Sequence, residues 1–314
     1  MPNPTLELNE LTRVQDRLSF VYVERCTLHR KDGAITVTNS DGIIHIPAAS
    51  IGALLLGPGT RATHAAISLL GDAGASAIWV GENGVRFYAS GRPLSRNSKL
   101  LISQAKLVSS NRSRLSVARK MYGMRFPDEV VDRLSMQQLR GKEGARVRQI
   151  YRDHATRTGI NWERRNYRPG AIQFDDHVNQ ALTAGASCLY GIVHAVVAAL
   201  GCAPGLGFVH NGSDRAFVYD IADLYRAEIV IPAAFDVAAG EHSNPTSEVR
   251  RAVRDAVVSN KLLARAANDI STLLRVEPDL NLEWIQDESV SLWSAQGSVA
   301  AGVNYGAAEE MPIS

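Results

Sequence analysis

The chain has 314 residues, 45% apolar and 21% charged, with a net charge of +2; this composition can build a sizeable core and excludes a disordered chain. At roughly 100 to 200 residues per domain the length suggests two domains. The longest apolar stretches, such as Ile192 to Leu200, fall short of the ~20 residues that span a bilayer, Met1 to Glu10 lacks a basic-then-apolar leader, and Cys26, Cys188 and Cys202 have no metal-type spacing, so the expectation is a cytoplasmic protein with buried thiols and no membrane association.

The first ninety residues read as strands. Leu18 to Arg25 and Ala34 to Thr38 are rich in β-branched and aromatic residues. Asp32-Gly33 and Asp41-Gly42 supply hairpin turns. Ile43 to Ile46, Ala53 to Leu56, Ala77 to Val80 and Val85 to Ala89 continue the pattern, with one short helix from Thr63 to Gly71 and Gly74 beyond its end.

From Ser98 the period changes. Leu100, Leu101, Gln104, Leu107 and Val108 recur at helical spacing, and Leu115, Ala118 and Met121 extend it to a break at Pro127-Asp128. Ser135 and Gln138 form a capping-box signature opening the next helix, through Leu139, Ala145, Val147 and Ile150. Residues 159–175 read as irregular. A long apolar helix is expected from about His177 to Leu200, ended by Gly201. A Gly-rich turn at Pro204 to Gly207, a short extended run Gly207 to His210, a helix from about Asp220 and a final amphipathic helix from Glu248 to Leu274 follow. The fold class is α+β: a small N-terminal β-rich domain (1–92), a larger all-α domain (93–278), and a polar tail (279–314) that is expected to be mobile.

Charge is distributed unevenly. Residues 1–98 carry 9 Lys/Arg and 8 Asp/Glu, residues 99–170 carry 17 and 6, and residues 171–314 carry 8 and 18. A +11 block followed by a −10 block suggests a polyanion-binding surface near carboxylates that could hold cations; the plainer alternative is two solvated helix faces of opposite sign.

His210, Asp220 and Asp223 form the best constellation. On a helix, Asp220 and Asp223 project from one face, and two close carboxylates repel unless a cation or a proton lies between them. An Asp at a helix start more often caps it, so the pair alone is a weak signal. His210 strengthens it, because imidazole with carboxylates is a recurrent divalent-metal set. Glu143 lies between Gly141 and Gly144 in a helical pattern, with Arg140, Arg146 and Arg148 around it. Spacing alone favours simple ion pairing of Glu143 with those arginines. Asn161 to Arg168 interleaves arginines with Trp162 and Tyr167 and so offers phosphate contact and base stacking, although each residue taken alone reads more readily as ordinary surface. The other histidines lack metal spacing, and no dinucleotide, phosphate-loop, serine-hydrolase or CxxC motif occurs.

Leu139-Arg-Gly-Lys-Glu-Gly-Ala-Arg-Val-Arg148, Ala186-Ser-Cys-Leu-Tyr-Gly191, Gly207-Phe-Val-His-Asn-Gly212 and Phe217-Val-Tyr-Asp-Ile-Ala-Asp223 resemble the CRISPR-associated spacer-acquisition integrase/endonuclease family, most closely its type I-E branch. The resemblance extends to Leu56 to Arg61, Gly84 to Gly91 and Glu248 to Asp255, and covers about residues 10–275 in order.

The resemblance implies an N-terminal domain for dimerisation and DNA contact and a C-terminal catalytic domain. It also implies a homodimer, a small ferredoxin-like partner subunit, and double-stranded and branched DNA as substrates. Its metal ligands fall on Glu143, His210 and Asp223, with Asp220 beside them, for Mg2+ or Mn2+. DNA contacts fall on Arg61, Arg86, Arg165 and Arg250, with Tyr167, Tyr190 and Tyr219 near the DNA path; Arg140 and Arg146 join them from the basic block. Arg25 stands where the branch has a tyrosine that brackets the duplex end, and its planar guanidinium can stack on a base instead. The leading expectation is an integrase that inserts short foreign DNA fragments into a CRISPR array by 3′-hydroxyl attack on a repeat phosphate. Alternatives are a stand-alone nuclease of branched DNA and a non-catalytic DNA-binding scaffold whose acids merely cap helices.

Overall fold

The structure, a computed structural model, describes residues 20–82, 86–91, 98–165, 176–240, 244–274, 291–294 and 297–300. It is an α+β fold, with strands first and helices after. β1 (Phe20–Val23), β5 (Ala53–Leu56) and β7 (Ser76–Val80) are parallel neighbours, and β8 (Phe87–Ser90) closes that sheet antiparallel to β7. β2 (Thr27–Lys31), β3 (Ala34–Asn39) and β4 (Gly42–Pro47) form an antiparallel meander through the two expected Asp-Gly turns. β6 (Arg61–Ala62) adds to its free edge, parallel to β2. In the first turn the positive φ is taken by Asp32 (51°), as Asp tolerates better than most residues; in the second it is taken by Gly42.

All four residues of β5 are buried. Leu54 and Leu56 pack with α1 (His64–Asp72) and the meander, whereas Ala53 and Leu55 face α5 (His177–Ala199) through Ala195 and Ala199. A parallel strand covered on both faces needs an apolar run, which explains the four consecutive small and aliphatic residues. Thr63 caps α1 by accepting from the Ala66 amide.

α2 (Lys99–Ser109) and α3 (Asn111–Arg125) replace the single helical pattern read after Ser98, because Ser110 turns extended and caps α3. α4 (Met136–Thr158) opens with the full Ser135/Gln138 capping box and ends at Gly159, φ 71°. α5 is the central helix, buried along most of its length against α6 (Ala216–Tyr225), α7 (Ile231–Ala239), α8 (Pro245–Ser259) and α9 (Leu262–Leu274). Among the described residues it alone is long and apolar enough to cross a membrane, yet 72% of its apolar window is buried inside the protein. It is a core helix. Gly185 lets the α8 face close in: a Cβ there would sit 3.1 Å from Val230 and 3.3 Å from Val249.

Three further expectations need correction. Residues 207–210 are not extended as a strand; their backbone donors turn onto a side chain instead of a neighbouring strand. The following helix starts at Ala216, so Asp220 sits inside it and is not its cap. The final helix is two, broken at Asn260-Lys261, where Lys261 takes φ 47°. In addition, one π-helical turn, Arg226–Val230, separates α6 from α7. Of the expected tail, the described part is a short antiparallel ladder, β9 (Ser291–Ser294) with β10 (Gly297–Ala300). Cys26, Cys188 and Cys202 are free and buried, as expected.

The joint between sheet and helices carries a titratable group. His194 of α5 stacks on the Phe87 ring of β8 with centroids 3.7 Å apart. Burial, seconded by the Arg215 charge, pushes its pKa down to about 4. An unfolded histidine titrates near 6.5, so the folded state binds fewer protons and stability falls as pH drops from about 6.5 toward 4. Urea unfolding of wild type and His194→Phe at pH 7 and pH 4.5 should show the wild type losing up to about 2 kcal/mol more than the variant; equal losses would contradict this assignment.

Candidate metal centre

Asp220 is the anchor of the site. Its carboxylate is fully buried and accepts from the Phe208 amide, the Val209 amide (3.1 Å) and the His210 amide (2.9 Å). The same carboxylate meets His210 Nδ1 at 2.8 Å. A buried carboxylate is tolerable only with such a complement of donors. Helix α6 presents Asp220 toward this loop and Asp223 one turn later, three-quarters of the way along the helix.

The loop is held from two further sides. Gln104 of α2, wholly buried, donates to the Ala203 and Leu206 carbonyls at 2.9 and 3.0 Å and accepts from the Ala203 amide. Arg114 of α3 donates to the Phe208 carbonyl at 2.8 Å. Gly207 is required by contact: a Cβ there would lie 2.6 Å from the His210 carbonyl oxygen and 2.8 Å from the Ala216 backbone.

With Nδ1 committed to Asp220, neutral His210 keeps its lone pair on Nε2, which points to Asp223 Oδ2 at 4.0 Å. The hydrogen bond to Asp220 raises the His210 pKa against the opposing effect of burial, and the charges of Asp220, Asp223 and Glu143 add to the rise. Asp223 is itself raised by burial, while Arg125, Arg226 and His210 pull it back down. Its Oδ1 faces Arg226 Nη1 at 3.8 Å.

Glu143, in the second turn of α4, is near enough for its charge to act on both His210 and Asp223. It does pair with an arginine, but not with the neighbours in its own helix. Arg125, at the end of α3, holds Oε1 at 2.5 Å, and the Tyr122 hydroxyl donates to Oε2 at 2.6 Å. Arg146 goes to Asp128 instead, at 3.5 Å. Tyr122, Arg125, Arg114, Gln104 and Arg226 are the residues that sequence reading missed. Gln104 lay on an expected buried helical face, but nothing in its spacing told which loop it would meet.

Glu143, His210 and Asp223, from three separate segments, thus lie within electrostatic reach of one another, and His210 and Asp223 face each other at 4.0 Å. Among the described residues, no group of three or more His, Cys, Asp or Glu stands in ready metal-holding geometry, and both Glu143 carboxylate oxygens are engaged, by Arg125 and Tyr122. The donor chemistry nevertheless fits a divalent ion. An imidazole Nε2 oriented by a carboxylate, facing a second carboxylate at 4.0 Å, lies within the span of two ligands each about 2.1 Å from one ion.

The expected DNA contacts distribute unequally. Arg61, Arg86 and Arg140 are exposed; Arg146 is half-buried over the Phe126 ring. Arg165 is committed to α5, donating to the Asn179 and Thr183 side chains at 2.7 Å each. Tyr167 lies outside the described residues. Tyr190 of α5 and Tyr219 of α6 meet edge-on at 5.0 Å, and Tyr219 meets the His210 ring at 5.7 Å. Arg250 of α8 has its Nε buried without a hydrogen-bond partner. Arg25 stands at positive φ (47°) with an exposed side chain beside Glu24 and Glu82. A cleft of about 230 Å3 between β8 and α5 is lined by Arg86, Tyr88, Tyr190, His194 and Arg215.

Comparison with known proteins gives the lineage. The family model "CRISPR associated protein Cas1" matches residues 20–126 and 124–261. A CRISPR-associated endonuclease Cas1 from Clostridium sp. (strain SY8519) is 50% identical over 298 residues, 94% of this chain and 98% of that protein. A second, CRISPR-associated endonuclease Cas1 2 from Thermus thermophilus, is 41% identical over 95% of this chain and 93% of its own length. The crystal structure of a TtCas1–DNA complex is 43% identical and superposes with a TM-score of 0.76, covering 84% of this chain and 98% of that one. With matches running through both the strands and the helices that build the centre, the chain belongs to the CRISPR-associated Cas1 family.

Proposed function

We propose that the chain is a divalent-metal-dependent DNA integrase and endonuclease of CRISPR adaptation, of the type I-E branch. The observation that carries this reading is the His210 side chain, locked by buried Asp220 so that Nε2 is offered beside Asp223, in a Cas1 family member. Glu143, His210 and Asp223 would hold the ion, and Asp220 orients the imidazole. A Mg2+ or Mn2+ ion bound there would lower the pKa of an attacking 3′-hydroxyl and neutralise charge on the phosphate; the mixed nitrogen and oxygen set suits Mn2+ somewhat better. With water in place of the hydroxyl, the same residues would support hydrolysis of branched DNA.

The protein's own groups account for the rest of the chemistry. The proton on Nε2 of His210 must leave before that nitrogen can act as a ligand, so raised basicity makes ion affinity climb with pH. Tyr190 and Tyr219 offer ring faces and edges for nucleobases, and the cleft beside them supplies Arg86 and Arg215 for phosphates. Arg250 would meet a phosphate through its outer guanidinium nitrogens, since its Nε is buried. Arg61, Arg140 and Arg146 extend the basic surface, and Tyr167 would join them. Arg165 supports the site by tying the segment before it to α5. The TtCas1 structure holds DNA, which supports the same polymer as substrate here.

In this reading residues 1–92 serve dimerisation and DNA contact, and residues 93–278 hold the chemistry. Exposed Ile43 and Ile44, 62% and 61% accessible on edge strand β4, provide apolar surface for a homodimer. A small ferredoxin-like subunit would complete a cytoplasmic adaptation complex.

Strand transfer of a short duplex into a repeat-bearing supercoiled target should require Mg2+ or Mn2+ and stop with EDTA. His210→Ala and Asp223→Asn should each lower joining by more than about 100-fold, and Asp220→Asn by about 10- to 100-fold, with duplex binding little changed. Joining that survives EDTA or those substitutions would overturn the assignment. Gly207→Ala should cost about 1–3 kcal/mol in chemical denaturation, since backbone must move to admit the methyl group, and should weaken Mn2+ binding; a variant as stable as wild type would refute the tight approach at this loop.

A further inference from the structure

Arg125 is placed where a permanent cation interferes with a metal. It ends α3 with a side chain only 11% exposed, its Nη1 against Glu143 Oε1 and its guanidinium over the Phe126 and Tyr122 rings at 5.1 and 5.8 Å. The remaining Glu143 oxygen is taken by the Tyr122 hydroxyl. A guanidinium does not shed its proton in a protein, and cation–π contact keeps it in place. Its charge also reaches Asp223, where it is the strongest of the three cations that draw that carboxyl down. Arg140, Arg146 and Arg148, which flank Glu143 in sequence, make no ion pair with it among the described residues.

We propose that Arg125 is an internal counter-ion that competes with a divalent cation for Glu143 and thereby sets the metal affinity of the centre. The inference rests on the metal-site reading above. A dication entering between Glu143 and Asp223 meets a positive charge already bound to one carboxylate and felt by the other. Coulomb repulsion and the loss of a charge-assisted hydrogen bond both oppose it. Arg125 is here a positioning residue that acts through Glu143; if it served only to aim that carboxylate, its removal would weaken metal binding, which is the opposite sign.

Mn2+ binding by the full-length protein, read from the electron paramagnetic resonance signal of the free ion, decides the sign. Arg125→Gln should bind Mn2+ at least about fivefold tighter than wild type. Arg125→Lys, which keeps the charge, should stay within about twofold. Unchanged or weaker binding in Arg125→Gln overturns the proposal. Should that variant not fold, the wild type still answers: titration with Mg2+ should shift the Arg125 Nε–Hε NMR resonance, and a resonance unmoved at saturation overturns the proposal equally. Glu143→Gln and Asp223→Asn separate the two levels of inference. Each should abolish saturable Mn2+ binding; wild-type binding in both refutes the metal centre itself, whereas its loss in both with no tightening in Arg125→Gln refutes only the role of Arg125.

Discussion

The centre depends on one buried carboxylate. Asp220 gathers three successive backbone amides and the His210 ring onto itself, and no strand or helix pairs those amides otherwise. Without it, buried donors would be orphaned, each costing about 1–3 kcal/mol, and the loop would have no reason to keep its path. With it, position and tautomer of the imidazole are set by a single group. Gln104 and Arg114 brace the same loop from α2 and α3, so three helices share the work of placing one side chain. Gly207 is the corresponding steric condition, since the loop closes against its own downstream backbone.

Collecting carboxylates creates the opposite problem. Glu143, Asp220 and Asp223 lie close enough to raise the pKa of His210 jointly, and burial alone already pushes Asp223 toward its neutral form. The protein answers with fixed cations assigned to individual oxygens, Arg125 at Glu143 Oε1 and Arg226 toward Asp223 Oδ1, and sets His210 Nε2 toward Asp223 Oδ2. Asp223 is therefore divided, one oxygen restrained by a fixed charge and the other left facing a nitrogen donor. Arg226 belongs to the π-helical turn after α6, whose geometry is fastened by a two-pronged Arg265–Glu228 pair and by Tyr225 donating to Asp269, both from α9. A π turn is costly enough to need such fastening, and turns of this kind recur at functional sites.

Local signals were legible in the sequence where the physics is local. The hairpins followed from Asp-Gly pairs, α1 from Thr63, α4 from its capping box, and the end of α5 from Gly201, which takes φ 70°. The break between α8 and α9 was not legible, because Lys261 adopts positive φ where no glycine or proline announces a turn. Asp220 resembled a helix cap because capping is what an isolated Asp near a helix start usually does; its actual donors belong to a loop ten to twelve residues earlier. Glu143 has arginines at helical spacing, yet its partner is Arg125 on another helix, eighteen residues away. Resemblance to a family pointed to the candidate acids; only the tertiary packing shows which cations they face.

The strands are tied to the chemistry through α5. Ala195 and Ala199 join its C-terminal half to β5 and β7, His194 stacks on Phe87, and Tyr190 stands one turn earlier against Tyr219. Tyr219 and Asp223 are four residues apart on α6 and so share a face, while Asp220 reaches back to the loop. On the proposed reading, a nucleic-acid strand lying along Arg86, Tyr190 and Tyr219 would be positioned by the same two helices that position Asp220 and Asp223. Elements packed this tightly move little relative to one another, so the distance from a bound phosphate to the His210–Asp223 pair would be a property of the core. A site carried on independent surface loops would lack that constraint, and in the proposed reaction, which depends on aligning a hydroxyl with a phosphorus, the constraint itself would contribute to catalysis.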